Sequence, residues 1–215
     1  SSSSGSGRGP PLSGFIKPSM PSVRKVRDMD TAITPTAARY AAASAPLTAV
    51  IDAVPSDAWQ RPSPCEGWTA ADVVVHLIDT QRDFLARHDV DLGPAPAVGD
   101  DPAAAWATHA AAVAPLLDDP GLVDMAFDGY FGPTTVGEVV VRFYVTDMIV
   151  HRWDLARAAG LDDTITDGEL DQLEQDIASY GDAAYSPGIF GPALEAPAGA
   201  DRQTRVLART GRRAW

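Results

Sequence analysis

The sequence has 215 residues, 45% of them hydrophobic, and a formal net charge of −12 at pH 7. This length and hydrophobic content suit one globular domain with a substantial core. The acidic balance argues against nucleic acid and anionic membrane as partners, because phosphate groups are bound by clustered Lys and Arg. Cys65 is the single cysteine, and no apolar run approaches the roughly 20 residues that cross a bilayer. We therefore expect a cytoplasmic protein without an intrachain disulfide.

The beginning of the chain differs in composition from the rest. It is rich in Ser, Gly and Pro and has no apolar segment that could form a core or a signal peptide. Both lysines of the sequence, Lys17 and Lys25, also lie in this part, and the remainder of the chain uses arginine instead. We expect residues 1–28 to be a disordered leader of separate origin, with Met20 or Met29 as the native start.

Two helices are predicted in the next part of the chain. One follows the N-cap Thr34 and stops before Pro55. The other follows Thr69, which has Asp72 at the right spacing for a capping box, and extends to about residue 88. The Pro- and Trp-containing segment between these helices is expected to be an ordered loop.

Two more helices follow. The third predicted helix begins near Asp101. Residues 121–133 alternate in hydrophobicity too briefly to form a sheet alone, so we expect an irregular crossover there. The fourth helix follows Thr135, which pairs with Glu138 in a capping box, and it ends before Gly160. Its apolar pattern is the strongest in the chain.

A fifth helix is predicted from Thr166 to about Tyr180, and a shorter one over residues 201–209. Four substantial helices with little strand signal indicate an all-α fold, a four-helix bundle with additional short C-terminal helices. Side chains that point into the space between bundle helices commonly hold metal ions. The bundle helices are therefore the place to look for a site.

Asp147 and His151 lie four residues apart on the fourth predicted helix. Residues at this spacing stack on one helical face, about 5 to 6 Å apart at Cβ, so both can reach one ion. His76 on the second helix would complete a set of two imidazoles and one carboxylate, as in catalytic zinc sites and other divalent-metal sites with open positions. The spacing alone leaves a metal site and a hydrogen-bonded core role equally open for these histidines.

The second and fourth predicted helices share the pattern Asp, three residues, His, two residues, Asp. Its members are Asp72, His76 and Asp79 in one helix and Asp147, His151 and Asp154 in the other. The repetition does not make every aspartate a ligand. We expect Asp72 to cap its helix, and Asp79 can simply face water.

The other two histidines and the single cysteine are not candidate ligands. His88 and His109 are not expected to face the site, because His88 lies roughly 120° around the helix from His76. Cys65 precedes a helix N-terminus, where a thiol can be acidified and reactive, but a lone cysteine is more often buried packing, and we favour packing. No catalytic residue and no organic cofactor site is assigned.

Three segments carry a resemblance to a known family. They are Pro64-Cys65-Glu66-Gly67-Trp68-Thr69, His76-Leu77 and Val150-His151-Arg152-Trp153-Asp154-Leu155-Ala156. In this order they resemble the DinB-like superfamily and, within it, the actinobacterial-type mycothiol-dependent maleylpyruvate isomerase N-terminal-domain branch. The resemblance extends from about Pro35 to the C-terminus and includes Phe190-Gly191-Pro192. It implies that residues 29–215 form a DinB-like metal-binding helical bundle domain.

The resemblance also implies a metal and a chemistry. A divalent ion, zinc first, with nickel, iron or manganese as alternatives, would be held by His76, Asp147 and His151. Many relatives have Glu or a third His where this chain has the shorter Asp147. Characterised relatives are thiol-dependent isomerases and S-transferases. We therefore expect a metal-dependent enzyme that uses a low-molecular-weight thiol, mycothiol, to transfer to or isomerise a small electrophilic substrate.

Two other functions stay open, a thiol-independent metal-dependent hydrolase or isomerase and a non-catalytic metal-binding protein. The expected partners are a small-molecule thiol and a small electrophile, with no nucleic acid and no membrane, and the expected state is a monomer or homodimer. Arg82, Arg142 and Arg152 could bind an anionic group of either molecule. Arg152, which adjoins a candidate ligand, is expected to point away from it.

Overall fold

The computed structural model describes residues 33–99, 101–186 and 188–215. The predicted leader over residues 1–28, the two candidate starts and the predicted domain boundary at residue 29 lie outside the described residues. Within the described ranges, no helix combines the length and the apolar character needed to cross a membrane.

Helices dominate the described part of the chain. In chain order the elements are α1 (Pro35–Ala53), α2 (Ala70–Ala86), α3 (Pro102–Val113), a 3₁₀ turn (Ala114–Asp118), α4 (Pro120–Val123), β1 (Ala126–Gly129), β2 (Gly132–Thr135), α5 (Val136–Val139), a π-helical segment (Val140–Val145), α6 (Thr146–Ala159), α7 (Asp167–Tyr180), a second 3₁₀ turn (Gly181–Tyr185) and α8 (Arg202–Arg209). The long helices lie where the sequence predicts them.

Side-chain caps set most of the helix starts. The Thr34 hydroxyl accepts a hydrogen bond from the Ala37 amide at 3.0 Å. Thr69 and Asp72 form a reciprocal capping box, and the same arrangement with Glu opens α5 and α7. Helix α6 ends at Gly160, whose φ of 72° a glycine adopts without steric cost. The predicted boundaries of these helices are confirmed.

The core lies where α1 and α2 pack against α3 and α6. Trp106 of α3 and Trp153 of α6 are almost completely buried in it. The Trp106 indole keeps its polar atom satisfied by donating to the Thr48 hydroxyl at 2.8 Å. Burial of this apolar surface is the main source of stability. The predicted all-α, DinB-like four-helix bundle is confirmed, and α7 and α8 supply the additional C-terminal helices.

The crossover between α4 and α5 is a β-hairpin, so the prediction of an irregular segment is wrong. Strands β1 and β2 pair antiparallel, with Ala126 opposite Thr135. Phe127 of β1 packs against His88 just beyond the end of α2, with ring centroids 4.4 Å apart. This contact with the bundle supports a two-stranded ribbon that would be marginal alone. The local alternation in the sequence could not reveal it.

The predicted fourth helix is interrupted by the π-helical segment between α5 and α6. A π turn takes an extra residue, so side chains beyond it are rotated relative to an uninterrupted α-helix. Asp147 lies in the first turn of α6, directly after this segment, and His151 follows one turn later. The wider turn therefore sets the direction in which both side chains face the bundle.

The chain after α8 returns to the bundle through a tight crossing. Gly211 has a φ of 82°, and a Cβ there would lie 2.9 Å from the Cα atom of Gly191. The dihedral angle and the close approach both favour glycine at this position. The crossing brings Arg212 against α6, where its side chain is buried.

Candidate metal centre

The three predicted ligands lie together between α2 and α6. His76 Nε2 is 3.2 Å from Asp147 Oδ2, and His151 Nε2 is 3.2 Å from Asp147 Oδ1. One donor atom from each residue lies within 4.8 Å of the other two. The His76 and Asp147 side chains are 27% and 29% exposed, whereas that of His151 is 5% exposed. The carboxylate thus links the two imidazoles at the edge of the core.

This donor set fits a divalent metal ion. In a tetrahedral zinc site with bonds of about 2.0 to 2.1 Å, neighbouring donor atoms are roughly 3.3 Å apart. Each imidazole nitrogen is 3.2 Å from one oxygen of the carboxylate, His76 from Oδ2 and His151 from Oδ1, which is close to that spacing. The same separations suit a hydrogen-bonded His–Asp–His chain in the metal-free protein. The geometry is therefore compatible with both states, and Asp147 reaches both imidazoles despite its short side chain.

Asp154 fixes the orientation of the His151 ring. Its Oδ2 atom is 2.9 Å from His151 Nδ1. The Nδ1 proton is therefore donated to this carboxylate, and in the neutral ring the Nε2 lone pair faces Asp147 and His76. Asp154 is completely buried and also accepts hydrogen bonds from Arg212, the shortest of them 2.8 Å from Nη2. A carboxylate on the far nitrogen is the usual support of a metal-binding histidine.

The charges of the metal-free centre are strongly coupled. Burial disfavours the Asp147 carboxylate, but the two histidines outweigh it and hold the pKa of Asp147 well below its usual value. Burial likewise disfavours the His151 imidazolium, but Asp147 and Asp154 raise the pKa of His151 well above its usual value. For Asp154, Arg212 and His151 outweigh burial and lower the pKa to about 2. Metal-free His151 is thus protonated at neutral pH, and both carboxylates are ionised.

The loop before α2 covers the two histidines. The Trp68 ring centroid lies 4.9 Å from that of His76 and 6.1 Å from that of His151. Cys65 of the same loop places its Sγ 3.3 Å from Asp154 Oδ2 and 3.9 Å from His151 Nδ1. Cys65 is only partly buried and contacts charged groups, so its prediction as a buried packing residue is wrong.

Cys65, His151 and Asp154 form a second group whose donor atoms lie within 4.8 Å of one another. His151 therefore belongs to both groups, through Nε2 in the first and Nδ1 in the second. In the second group, Asp154 is already paired with Arg212 through both carboxylate oxygens. In the first group, the Asp147 carboxylate pairs only with the two candidate histidine ligands among the described residues and with no arginine, so this group is the better donor set.

The other two histidines lie away from the centre, as predicted. His109 is completely buried and hydrogen-bonded to Gln81 Oε1 at 3.0 Å. Burial, and to a smaller extent Arg82, lowers the pKa of His109 to about 4, so it is a neutral core residue. His88 packs its ring 4.7 Å from that of Phe84.

The aspartates of the repeated pattern have different roles. Asp72 accepts hydrogen bonds from the amide and hydroxyl of Thr69, which confirms its predicted capping role. Asp79 is exposed, as expected. Asp147 and Asp154 face the centre. The pattern shared by the two helices is therefore not a symmetric set of ligands.

The three arginines considered as anion-binding residues are engaged elsewhere. Arg152 forms a bidentate pair with Glu169 at 2.5 and 2.8 Å, so it points away from the centre as predicted. Arg142 donates to the backbone carbonyl of Ser179 at 3.0 Å. Arg82 donates to a backbone carbonyl beyond α2. Arg212, which the sequence did not single out, is the arginine at the centre.

Two cavities meet at His76 and Asp147. The first has a volume of about 250 Å³, and we call it the aromatic chamber. Its other walls include Val139, Phe143, Tyr144, Tyr180, Ile189 and Phe190. The second, the loop chamber, has a volume of about 600 Å³ and is bordered by Cys65, Trp68, His151 and Arg212. Small molecules can therefore approach the two partly exposed ligands from two sides.

Residues 40–156 match the family described as the mycothiol maleylpyruvate isomerase N-terminal domain, and the match covers more than half of the sequence. The chain belongs to this family. Among curated proteins it is similar to two uncharacterized proteins of Mycobacterium tuberculosis, one from strain H37Rv and one from strain CDC 1551. Each is 30% identical over 114 residues, which are 53% of this chain and 62% of the relative. The chain thus spans less than two thirds of these relatives. No solved structure matches it significantly.

The part that matches the mycothiol maleylpyruvate isomerase N-terminal domain contains His76, Asp147, His151 and Asp154. It ends before Arg212, so the guanidinium that pairs with Asp154 comes from outside the matched segment. At the family level, this membership associates the protein with mycothiol.

Sequence reasoning missed two residues of the centre for different reasons. Asp154 had a signal, because the repeated pattern places it one turn after His151 on the same helix. Arg212 had none, because it is 58 residues away in the chain and its approach depends on the crossing at Gly211.

Zinc binding is expected to release about one proton per ion at pH 7, because His151 is protonated in the metal-free protein and must lose that proton to coordinate. Below the raised pKa of His151, affinity should therefore increase about tenfold per pH unit. Isothermal titration calorimetry in buffers of different ionisation enthalpy measures the proton count. The His88→Ala variant, which changes a histidine away from the centre, serves as control and should keep this release. An affinity independent of pH between 6 and 7 would contradict the assignment.

Proposed function

We propose that this protein is a metal-dependent enzyme that uses mycothiol to transfer to, or to isomerise, a small electrophile. The observation that carries the proposal is the convergence of His76, Asp147 and His151 at a point open to two chambers. Membership of the mycothiol maleylpyruvate isomerase N-terminal domain family supplies the thiol. An open site between two chambers suits a reaction that joins two small molecules.

His76, Asp147 and His151 would hold the ion, with zinc as the first candidate because two imidazoles and a carboxylate suit it, and nickel, iron or manganese as alternatives. When bound, the ion supplies Lewis acidity that lowers the pKa of a thiol at its open position and makes thiolate available at neutral pH. We place the reaction in the cytoplasm, where low-molecular-weight thiols are kept reduced.

The protein's own groups would position the reactants. Asp154 holds the His151 ring in place through Nδ1, and Arg212 holds Asp154. Trp68 covers both imidazoles and limits the access of water to them. In a transfer, the thiol sulfur bonds to the electrophilic carbon, the leaving group departs with its electron pair, and the thiol proton passes to solvent. In an isomerisation, the sulfur adds to a conjugated double bond and leaves again after rotation.

The proposal is tested with zinc-loaded protein, mycothiol and a set of small electrophiles, with loss of free thiol as the readout. Thiol should be consumed much faster than in the absence of protein, and the His76→Ala variant should be close to the uncatalysed rate. Calorimetry should detect mycothiol binding to the zinc-loaded protein at millimolar concentration. Absence of both binding and consumption would contradict thiol chemistry and favour a thiol-independent metal enzyme or a non-catalytic metal protein.

A further inference from the structure

The π-helical segment before Asp147 leaves one backbone carbonyl without its α-helical partner. In an α-helix, the Thr146 amide would donate to the Arg142 carbonyl four residues earlier. Here it donates to the Phe143 carbonyl instead. The Arg142 carbonyl accepts a hydrogen bond from the Tyr180 hydroxyl of α7. Because a backbone carbonyl without a partner is unfavourable away from water, this hydroxyl stabilises the π-helical form of the segment.

Two further contacts join α7 to the same stretch of chain. The Arg142 Nη2 atom donates to the Ser179 carbonyl at 3.0 Å. The Thr146 hydroxyl donates to the Asp176 carboxylate. Thr146 is buried and directly precedes Asp147. Helix α7 therefore holds the π-helical segment in its middle and again at the point where the candidate ligand begins.

Helix α7 is held in place independently of these contacts. It begins at the capping box of Thr166 and Glu169. Leu170, Leu173 and Ile177 recur at helical spacing on one face, and all three are buried. The helix lies beyond residues 40–156, which match the family. The support that α7 gives to the π-helical segment thus comes from outside the matched part of the chain.

The other end of the π-helical segment is fixed by close packing. A Cβ at Gly137 of α5 would lie 2.7 Å from Thr36 Oγ1 and 3.0 Å from the Val123 carbonyl oxygen. This short helix therefore has little freedom to rotate. Each residue of an α-helix turns the chain by about 100°, so losing the extra residue of the π turn would rotate Asp147 by about that angle relative to α5. The carboxylate would then no longer link the two imidazoles.

We infer that Tyr180 is a positioning residue of the metal centre. Its hydroxyl binds the Arg142 carbonyl and so keeps the π-helical form that directs Asp147 between the two imidazoles. Tyr180 belongs to neither group of candidate ligands, and its ring stacks on that of Phe143 with centroids 5.2 Å apart. The inference rests on the proposed function only for the presence of the ion, and it is independent of thiol chemistry.

The Tyr180→Phe variant removes the hydroxyl and keeps the stacked ring. Its zinc affinity, measured by competition with a chromophoric chelator, should fall by about tenfold, as when a residue that supports a ligand is removed. In cobalt-loaded protein, the visible absorption spectrum reports the coordination geometry, and it should change in the variant. Thr146→Val removes the second contact with little change in shape, and it should lower zinc affinity in the same direction.

Tyr40→Phe is the matched control. It also removes a buried tyrosine hydroxyl, which donates to Gln81 Oε1 at 2.9 Å and takes no part in the metal centre. This variant should lose stability, as Tyr180→Phe does, but keep the zinc affinity and the cobalt spectrum of the unmodified protein. A zinc affinity of Tyr180→Phe within about twofold of the unmodified protein, or an equal fall in both tyrosine variants, would overturn the inference.

Hydrogen exchange in the metal-free protein provides a readout that needs no ion. In Tyr180→Phe, the amides of residues 140–147 should exchange at least about tenfold faster relative to amides in the middle of α6, because the contact that holds this segment is lost. Unchanged relative exchange would overturn the inference even if zinc affinity fell. Absence of zinc binding to the unmodified protein would refute the proposed function, and the exchange measurement would then decide whether Tyr180 holds the segment.

Discussion

Replacing His151 with alanine is expected to abolish stable metal binding. The residue supplies one of the three donor atoms. Its loss should lower the metal affinity by more than the roughly 10–100-fold that follows the removal of a residue that only supports a ligand. The His76→Ala variant should lose metal for the same reason. Elemental analysis of protein purified without added metal, followed by zinc titration, measures the loss.

Two variants control this experiment. His88→Ala removes a histidine that packs on Phe84 away from the centre, and it should keep the metal content of the unmodified protein. Asp147→Glu keeps the carboxylate and lengthens the side chain by one methylene, and we expect it to retain metal, unlike Asp147→Ala. Unchanged metal content in both His76→Ala and His151→Ala would refute the ligand assignment.

The Asp154→Ala variant is expected to lose about 3 to 5 kcal/mol of unfolding free energy in the metal-free protein, because it leaves Arg212 buried without its partner. Urea denaturation at pH 7 measures this. The double variant Asp154→Ala with Arg212→Met removes the orphaned charge and should recover much of the loss. A loss below about 1 kcal/mol in the single variant would show that the pair is not desolvated as described.

The same pair predicts an acid sensitivity. The pKa of Asp154 is lowered to about 2. The contribution of this carboxylate to the free energy of unfolding is therefore fully present above the unfolded-state pKa and is lost as the pH falls through about 4 toward 2. The shift corresponds to about 2 kcal/mol. In the double variant, this part of the pH dependence should disappear. Its persistence would assign the acid sensitivity to other carboxylates.

The helices could be predicted because their ends are encoded locally. Thr69 with Asp72 and Thr135 with Glu138 are short-range pairs whose hydrogen bonds form within one turn, and the structure has them where the sequence places them. The juxtaposition of Asp147 and His151 follows from helical spacing for the same reason. Their approach to His76 required only that α2 and α6 be neighbours in the bundle.

Other features depend on contacts that no local pattern records. The hairpin is supported by Phe127 packing against His88, and the approach of Arg212 to Asp154 depends on the glycine crossing at residue 211. The π-helical segment before Asp147 rotates the side chains that follow it about the helix axis. The apolar pattern of the sequence, by contrast, is that of one continuous helix. These features decide how the centre is oriented and supported, whereas the spacing decides only which side chains can meet.

Asp147 supplies the carboxylate that joins the two imidazoles of the centre. It reaches His76 and His151 at 3.2 Å, each through a different oxygen. The π-helical segment directly before α6 sets the rotation of Asp147 about the helix axis and so the direction of its side chain. The neighbouring group of Cys65, Asp154 and His151 is an alternative place for an ion. There, however, the Arg212 guanidinium already pairs with the Asp154 carboxylate.

Anomalous diffraction at the zinc edge, from crystals of the protein loaded with one equivalent of zinc, tests the central claim most directly. We predict one strong anomalous peak between His76 Nε2, Asp147 and His151 Nε2, at bonding distance of about 2.0 to 2.2 Å from each. A peak between Cys65, His151 Nδ1 and Asp154, or no peak beside His151, would contradict the account.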